Sequence, residues 1–431
     1  MENRYDKYKD SGIAWIGEIP EHWEVIKIKQ LLKNNSLKVG PFGSQLSGSD
    51  ILSDGKYWIY NQRTVLDNNF SSCNSFITHE KYNDLIGFKV NAGDILLTTR
   101  GTIGKISRVP TTFNEGVIHP CIIRFNINES ILKYDILKYI FNDSDLVINQ
   151  VKYNSNSTTI DVIYSDTLKN IILTCIPKEE QQSIATYLDQ KCGEIDELIT
   201  LQEEMITKLQ GYKQSVITEA VTKGLDKNVP LKDSGIEWIG EIPEHWEVKR
   251  LKNVCSQINI KENSKENSLP YIGLENIESG SGRYIDTTSE VEGMANRFCK
   301  NNVLFGKLRP YLSKVYLAEK DGICSTEFIV YDTKSNNCRF IHKLLLSQVF
   351  IEVVNSSTYG AKMPRANNDF INNTYVQIPP LSEQQSIADY LDQKCSEIDA
   401  LISIKKQKIE KLKDYKKSLI FECVTGKRKV S

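Results

Sequence analysis

From Gln181 to about Thr222 the chain contains no proline, and apolar residues recur at Leu188, Ile195, Leu198, Met205, Leu209, Tyr212 and Val216. These spacings fall on the a and d positions of one heptad register, the pattern of a helix that packs along a seam. The same register later picks out Leu391, Ile398, Leu401, Leu412, Tyr415 and Leu419, with Lys405 and Lys408 breaking its middle. Pro177 and the pair Pro379-Pro380 stand just before the two segments and set their starts. About 40 residues of helix reach roughly 60 Å. Elsewhere the pattern changes to short β-branched or alternating runs broken by Gly, Asn and Pro: Tyr57–Tyr60, Asp94–Thr99, Val117–Phe125, Tyr271–Leu274, Val303–Phe305 and Ile323–Tyr331. These predict strands, with helical stretches near 130–150 and 338–354. The expected fold class is α+β: two mainly β, mixed domains and two long coiled-coil helices.

The chain is an internal duplication. Lys9–Val25 (KDSGIAWIGEIPEHWEV) and Lys232–Val248 (KDSGIEWIGEIPEHWEV) agree at 16 of 17 positions, and Glu180–Leu198 (EQQSIATYLDQKCGEIDEL) returns at Glu383–Leu401 (EQQSIADYLDQKCSEIDAL). The stretches between, about 26–178 and 249–379, share almost no run of identity. Two near-identical frames therefore hold two divergent inserts. Selection that keeps the frames alike would produce this contrast, and so would a recombination that imported a foreign insert. The expected boundaries are 1–178 for the first segment and insert, 179–223 for a central helix, 224–379 for linker, second segment and insert, and 380–431 for the last helix and basic tail.

Charge refines the picture. The whole chain of 431 residues balances 54 Lys+Arg against 55 Asp+Glu, yet residues 179–223 carry net −5 and residues 380–431 net +3. Helices of opposite sign suit each other, so an antiparallel pair is expected; the alternative is that each packs separately on its own domain. Each insert has 17 basic and 13 acidic residues, a mild excess compatible with a polyanionic partner. No apolar run approaches the roughly 18–20 residues of a membrane span, and Met1–Lys7 has no apolar leader. A cytoplasmic protein without membrane contact is expected. The ten cysteines form no C-x-x-C pair, which argues for ordinary thiols rather than a metal site.

Glu21-His22 and Glu244-His245 invite a catalytic reading, but their duplication beside Trp15/Trp23 and Trp238/Trp246 fits a packing clasp between insert and helix. Within each clasp, Gly17–Pro20 and Gly240–Pro243 are expected to turn. The tail Gly426–Lys429 reads as solvated and frayed. In the inserts, Leu96–Ile106 aligns with Phe305–Val315, which superposes Arg100 on Arg309 and Lys105 on Lys314. An arginine and a lysine after a strand suit duplex DNA, the guanidinium for guanine O6/N7 or phosphate and the ammonium for phosphate. Further candidates are Ser44, Gln45, Gln62, Arg63, Thr102, Asn276, Lys307, Tyr311, Lys362, Arg365 and Asn367. Phosphate loop, dinucleotide fingerprint, nucleophile elbow and H-E-x-x-H are all missing, so no catalytic residue and no metal site is expected.

The repeated DSGIxWIGEIPEHWEV and EQQSIAxYLDQK motifs make the chain similar to the specificity subunits of Type I restriction-modification systems, over nearly its whole length. That resemblance implies a non-catalytic reader of double-stranded DNA. Two target-recognition domains, held apart by the helical pair, each take one half of a bipartite, asymmetric site. It further implies two methyltransferase subunits using S-adenosylmethionine to modify adenine, and two restriction/translocase subunits using ATP and Mg, with no cofactor in this chain. It carries over no base-reading residue. The competing readings are a two-headed structural adaptor for two proteins, and an enzyme with an unrecognised site.

Overall fold

The computed structural model describes residues 4–154, 162–264, 268–287, 293–360 and 362–430. The chain divides into two compact units: the first comprises Met1–Leu201 with Lys408–Ser431, the second Gln202–Gln407.

In the first unit a four-stranded antiparallel sheet runs in the order Lys38–Val39, Ile122–Phe125, Ile95–Thr98, Ile106–Arg108. Its inner strand Ile95–Thr98 is buried at every position because both faces are covered. Ile95 and Leu97 enter the main core, while Leu96 faces a second one with Tyr60 and Ile118. A smaller sheet joins Phe76–Ile77, Tyr57–Tyr60 and Gly116–Ile118, the last two in parallel. The second unit repeats the plan. Its sheet runs Ser256–Ile258, Phe328–Asp332, Val303–Gly306, Val315–Leu317, with Val303 and Phe305 in one core and Leu304 in another. A parallel pair, Tyr271–Ile272 with Gly322–Ser325, again belongs to a separate sheet. The apolar runs 117–125 and 323–331 are each two strands: a turn at His119–Cys121 or at Thr326-Glu327 sends the chain from one sheet to the other.

The two long helices are Lys178–Lys223 and Leu381–Val424. They pair antiparallel within each unit: Leu188, Cys192 and Ile195 share a core with Leu419, Ile420 and Cys423 in the first, and Val216, Ile217 and Val221 with Ile387, Leu391 and Cys395 in the second. Lys416 bridges Asp196 at 2.7 Å, and its repeat equivalent Lys213 bridges Asp399 at 2.8 Å. The sequence register is half right. Leu188, Ile195 and Val216 are buried, but Leu198, Tyr212, Leu401 and Tyr415 are exposed. Their places in the seam go to the neighbours one residue on: Ile402 and Lys213 are buried, and Ile199 and Lys416 half-buried. Lys405 does not break the seam; its ammonium donates to Gln202 Oε1 at 3.2 Å.

The repeated tryptophan segments are clasps. Trp23 and Trp246 are fully buried, and their indole N–H groups donate to Glu180 and Glu383 at the starts of the long helices, at 3.2 and 2.9 Å. His22 and His245 meet the same carboxylates at 2.6 and 2.5 Å. The Tyr5 hydroxyl also donates to Glu180. Burial raises the Glu180 pKa, but the hydrogen bonds from Tyr5, His22 and Trp23 outweigh it and hold the carboxyl below its ordinary range. Glu18–Pro20 and Glu241–Pro243 are strands rather than turns, paired with Tyr8–Asp10 and Leu231–Asp233. The turn lies earlier and uses Gly17 at φ +69°, a conformation glycine adopts without strain. Nor is the basic tail frayed: Lys427 Nζ donates to the carbonyls of Ile16 and Glu18 at 2.5 and 3.1 Å, and Arg428 pairs with Glu422.

Candidate nucleic-acid interface

Strand pairing gathers most of the candidate loops of the first unit at one end of its sheets. Gly40 N donates to Ile122 O, Thr99 N to Cys121 O and His119 N to Tyr60 O. The chain ends that precede Ser44-Gln45, Arg100-Gly101-Thr102 and Asn61-Gln62-Arg63 therefore lie side by side. Asn61 caps the helix Gln62–Leu66 through its side-chain oxygen, and Gln62 Nε2 donates to Thr102 O at 3.3 Å. Gly101, at φ +66°, lets that approach happen: a Cβ there would sit 3.1 Å from Gln62 Nε2. Arg100, Thr102, Ser44 and Gln45 are exposed, although Gln45 Oε1 already accepts from Phe42 N. Arg63 is exposed but tied to Asp67.

The second unit builds the same end differently. Ala366 N donates to Lys307 O and Arg309 N to Pro364 O, at 2.9 and 2.7 Å, while Tyr359 and Arg365 exchange backbone hydrogen bonds. Lys307, Arg309 and Tyr311 thus join Lys362 and Arg365 on one surface, with Tyr359 and Met363 exposed beside them. Arg309 has φ +51° and Ser313 φ +50°, a left-handed conformation that non-glycine residues adopt at a cost. The Arg309 Nε is buried without a hydrogen-bond partner.

Several expectations are corrected here. Lys105 and Lys314 are indeed equivalent, since Thr98 N donates to Lys105 O as Gly306 N does to Lys314 O. Neither is free for phosphate: each ammonium turns inward onto a carbonyl, Asn142 O and Leu274 O respectively. Burial lowers both pKa values. Asn276 is buried and closes its own loop, accepting from Gly273 N and donating to Ile285 O and Thr287 Oγ1. Arg365 is gripped by Glu327 at 3.0 Å. Asn367 caps the helix Asn368–Asn373. The loop holding Arg309 is one residue longer than that holding Arg100, so Arg100 matches Leu308 in bridging the segment before the next short helix. His119, whose pKa burial and then the nearby Arg100 charge lower, and Tyr359 belong to these surfaces. Sequence pattern does not single them out, although an exposed aromatic beside Gly360 is a weak signal. Among the described residues no group of three or more His, Cys, Asp or Glu is placed to hold a metal, and no helix is long and apolar enough to cross a membrane.

Comparison with known proteins agrees with this repeated plan. The model of the Type I restriction modification DNA specificity domain matches residues 20–210 and again 243–414. The MjaVIII specificity subunit of Methanocaldococcus jannaschii is 25% identical over 64% of this chain, and the EcoDI specificity subunit of Escherichia coli 22% over 63%. The aligned part spans 66% of each of those two relatives, just short of two thirds. The putative MjaX specificity subunit of M. jannaschii is 25% identical across 96% of both chains. The fold is shared with the HsdS subunit from Thermoanaerobacter tengcongensis, TM-score 0.52 at 14% identity over 95% of this chain and 98% of that one. A chain from work on assembly and conformational transition of the type I R-M system has TM-score 0.67 at 15% identity, over 94% and 98%. Matched by the domain model in both halves and carrying one four-stranded sheet of the same strand order in each unit, the chain belongs to the family of Type I restriction-modification specificity subunits.

Proposed function

We propose that this chain is the DNA-reading, non-catalytic subunit of a Type I complex, each unit reading one half of a bipartite, asymmetric site in double-stranded DNA. The observation that carries the reading is the repeated sheet with its exposed, divergent polar loops gathered at the same end in both units. Equal scaffolds present unequal loops, which is what an asymmetric target requires. The long helices set the gap between half-sites, whose centres lie about one to one and a half helical turns apart.

The exposed residues of the helices support a second role. Half-buried Tyr187 and Lys191 and exposed Glu194, Leu198 and Leu201 recur every three or four positions on one face, and Tyr390, Lys394, Glu397, Leu401 and Ile404 repeat them, with Lys394 half-buried. Leu198 and Leu201 are 43% and 45% exposed, Leu401 and Ile404 48% and 59%. A second heptad stripe, left open in each unit, offers equivalent seams to two copies of one partner. The partners are two methyltransferase subunits acting on adenine with S-adenosylmethionine, which two ATP- and Mg-dependent restriction/translocase subunits join in the cytoplasm.

The test is modification mapping of DNA from a methylation-free host expressing the methyltransferase with and without this chain. A split motif only when the chain is present supports the reading; no motif from a soluble complex overturns it. Leu198→Asp and Leu401→Asp should each reduce the bound methyltransferase from two copies to one by native mass spectrometry.

A further inference from the structure

Inside a folded domain an arginine is ordinarily compensated, and in both inserts almost every one is. In the first unit Arg63 meets Asp67 at 3.2 Å, Arg108 meets Glu129 at 2.5 Å and Arg124 meets Asp94 at 3.7 Å. In the second, Arg283 pairs with Glu278, Arg297 with Glu262, Arg365 with Glu327, and Arg339 with both Asp389 and Asp392. Arg250 donates to Tyr375 and Asn373 and lies against the Tyr375 ring. Among the described residues of the inserts, Arg100 and Arg309 alone have no carboxylate within 4.0 Å and no side-chain hydrogen bond. They are also the two that occupy the same turn, between the central strand and the edge strand of equivalent sheets.

We infer that Arg100 and Arg309 are the specificity-determining arginines of the two half-sites, each reading one guanine through O6 and N7 in the major groove. The inference rests on the DNA-recognition reading above and names its chemistry. Two costs point to a ligand. Arg309 holds a left-handed backbone, and its Nε is buried without a partner; neither helps the isolated fold. A forked donor left open on a surface whose other arginine, Arg365, is neutralised by Glu327 is prepared for a paired acceptor, and guanine presents one in the groove. A lysine would supply charge alone: Lys105 and Lys314 are committed to backbone carbonyls, and Lys307, two residues before Arg309, offers only a point charge for phosphate. The arginine therefore carries base identity, while phosphate contact falls to exposed lysines such as Lys362.

The experiment is modification mapping with the full chain and its methyltransferase partner, comparing wild type, Arg100→Gln and Arg309→Gln. Wild type must give a split motif; without one, the recognition reading itself fails and the variants are not at issue. Given the motif, each variant should relax one guanine by about ten- to a hundredfold, in opposite halves, with the other half unchanged. Should a glutamine variant fail to assemble, Arg100→Lys and Arg309→Lys keep the charge but lose the fork, and should relax the same position. A motif retained in full with only lower occupancy assigns these arginines to phosphate and overturns the inference. So does relaxation of the same half by both variants.

Discussion

Replacing Glu180 by alanine would remove the acceptor on which the first clasp converges. Trp23 is fully buried and its indole N–H donates to that carboxylate, so truncation leaves a buried donor unpaired, at about 1–3 kcal/mol. The lost bond from half-buried Tyr5 adds about 1 kcal/mol, whereas His22, half exposed, regains water. The sum is about 2–4 kcal/mol, which for a unit of this size lowers its melting transition by roughly 5–15 °C. Calorimetry gives the shift, and hydrogen exchange locates it. Protection should fall at Trp23 and along the strand pair Glu24–Lys27 with Ile172–Cys175, while Glu383→Ala should do the same at Trp246 and spare Trp23. Because the folded Glu180 pKa lies below its unfolded value, its charge stabilises at neutral pH and that contribution disappears as pH falls through the folded value. The gap between wild type and Glu180→Gln should therefore narrow as the pH falls below the ordinary glutamate range. A shift under about 2 °C, or exchange loosened equally at both tryptophans, would refute the clasp.

Other perturbations separate buried from surface terms. Lys213 and Asp399 leave 9% and 21% of their side chains exposed, against 21% and 57% for Lys416 and Asp196. Lys213→Ala should then destabilise by about 3 kcal/mol and Lys416→Ala by less than about 1 kcal/mol, as read by chemical denaturation. His342 is buried, and burial pushes its pKa down to about 4. The unfolded chain takes up that proton first, so stability of the second unit falls as pH drops from about 6.5 towards 4, and His342→Gln should flatten the dependence. Glu327→Gln should release Arg365 without changing the fold and, if Arg365 then competes for DNA, strengthen binding at low salt only.

The duplication, the strands and the two long helices are legible because each is a periodic or repeated pattern, and Tyr57–Tyr60 begins and ends where alternation says it should. The register of the seam is not. Leu198, Met205 and Tyr212 keep heptad spacing as faithfully as Ile199, Ile206 and Lys213, and the chain carries two stripes of which a lone sequence cannot say which one closes. Apolarity misleads here, since Lys213 is the buried choice and Tyr212 the exposed one. Among the interface residues, alignment finds the shared turn of Arg100 and Arg309. It cannot find that Lys105 and Lys314 point inward, because whether an ammonium reaches a carbonyl some 40 positions away is a property of the fold.

One unit is continuous in sequence and the other is not, which gives the two a fixed order of birth. At roughly 5–20 residues per second of synthesis, the second unit has its last contacts as soon as residue 407 emerges. The first unit must wait through the whole of that synthesis for Leu419, Ile420 and Cys423 to complete its core. Its final latch is Thr174 against Val424 and Lys427 against Ile16. A stop codon after residue 407 would therefore damage the half of the protein made first, and leave standing the half beside the break.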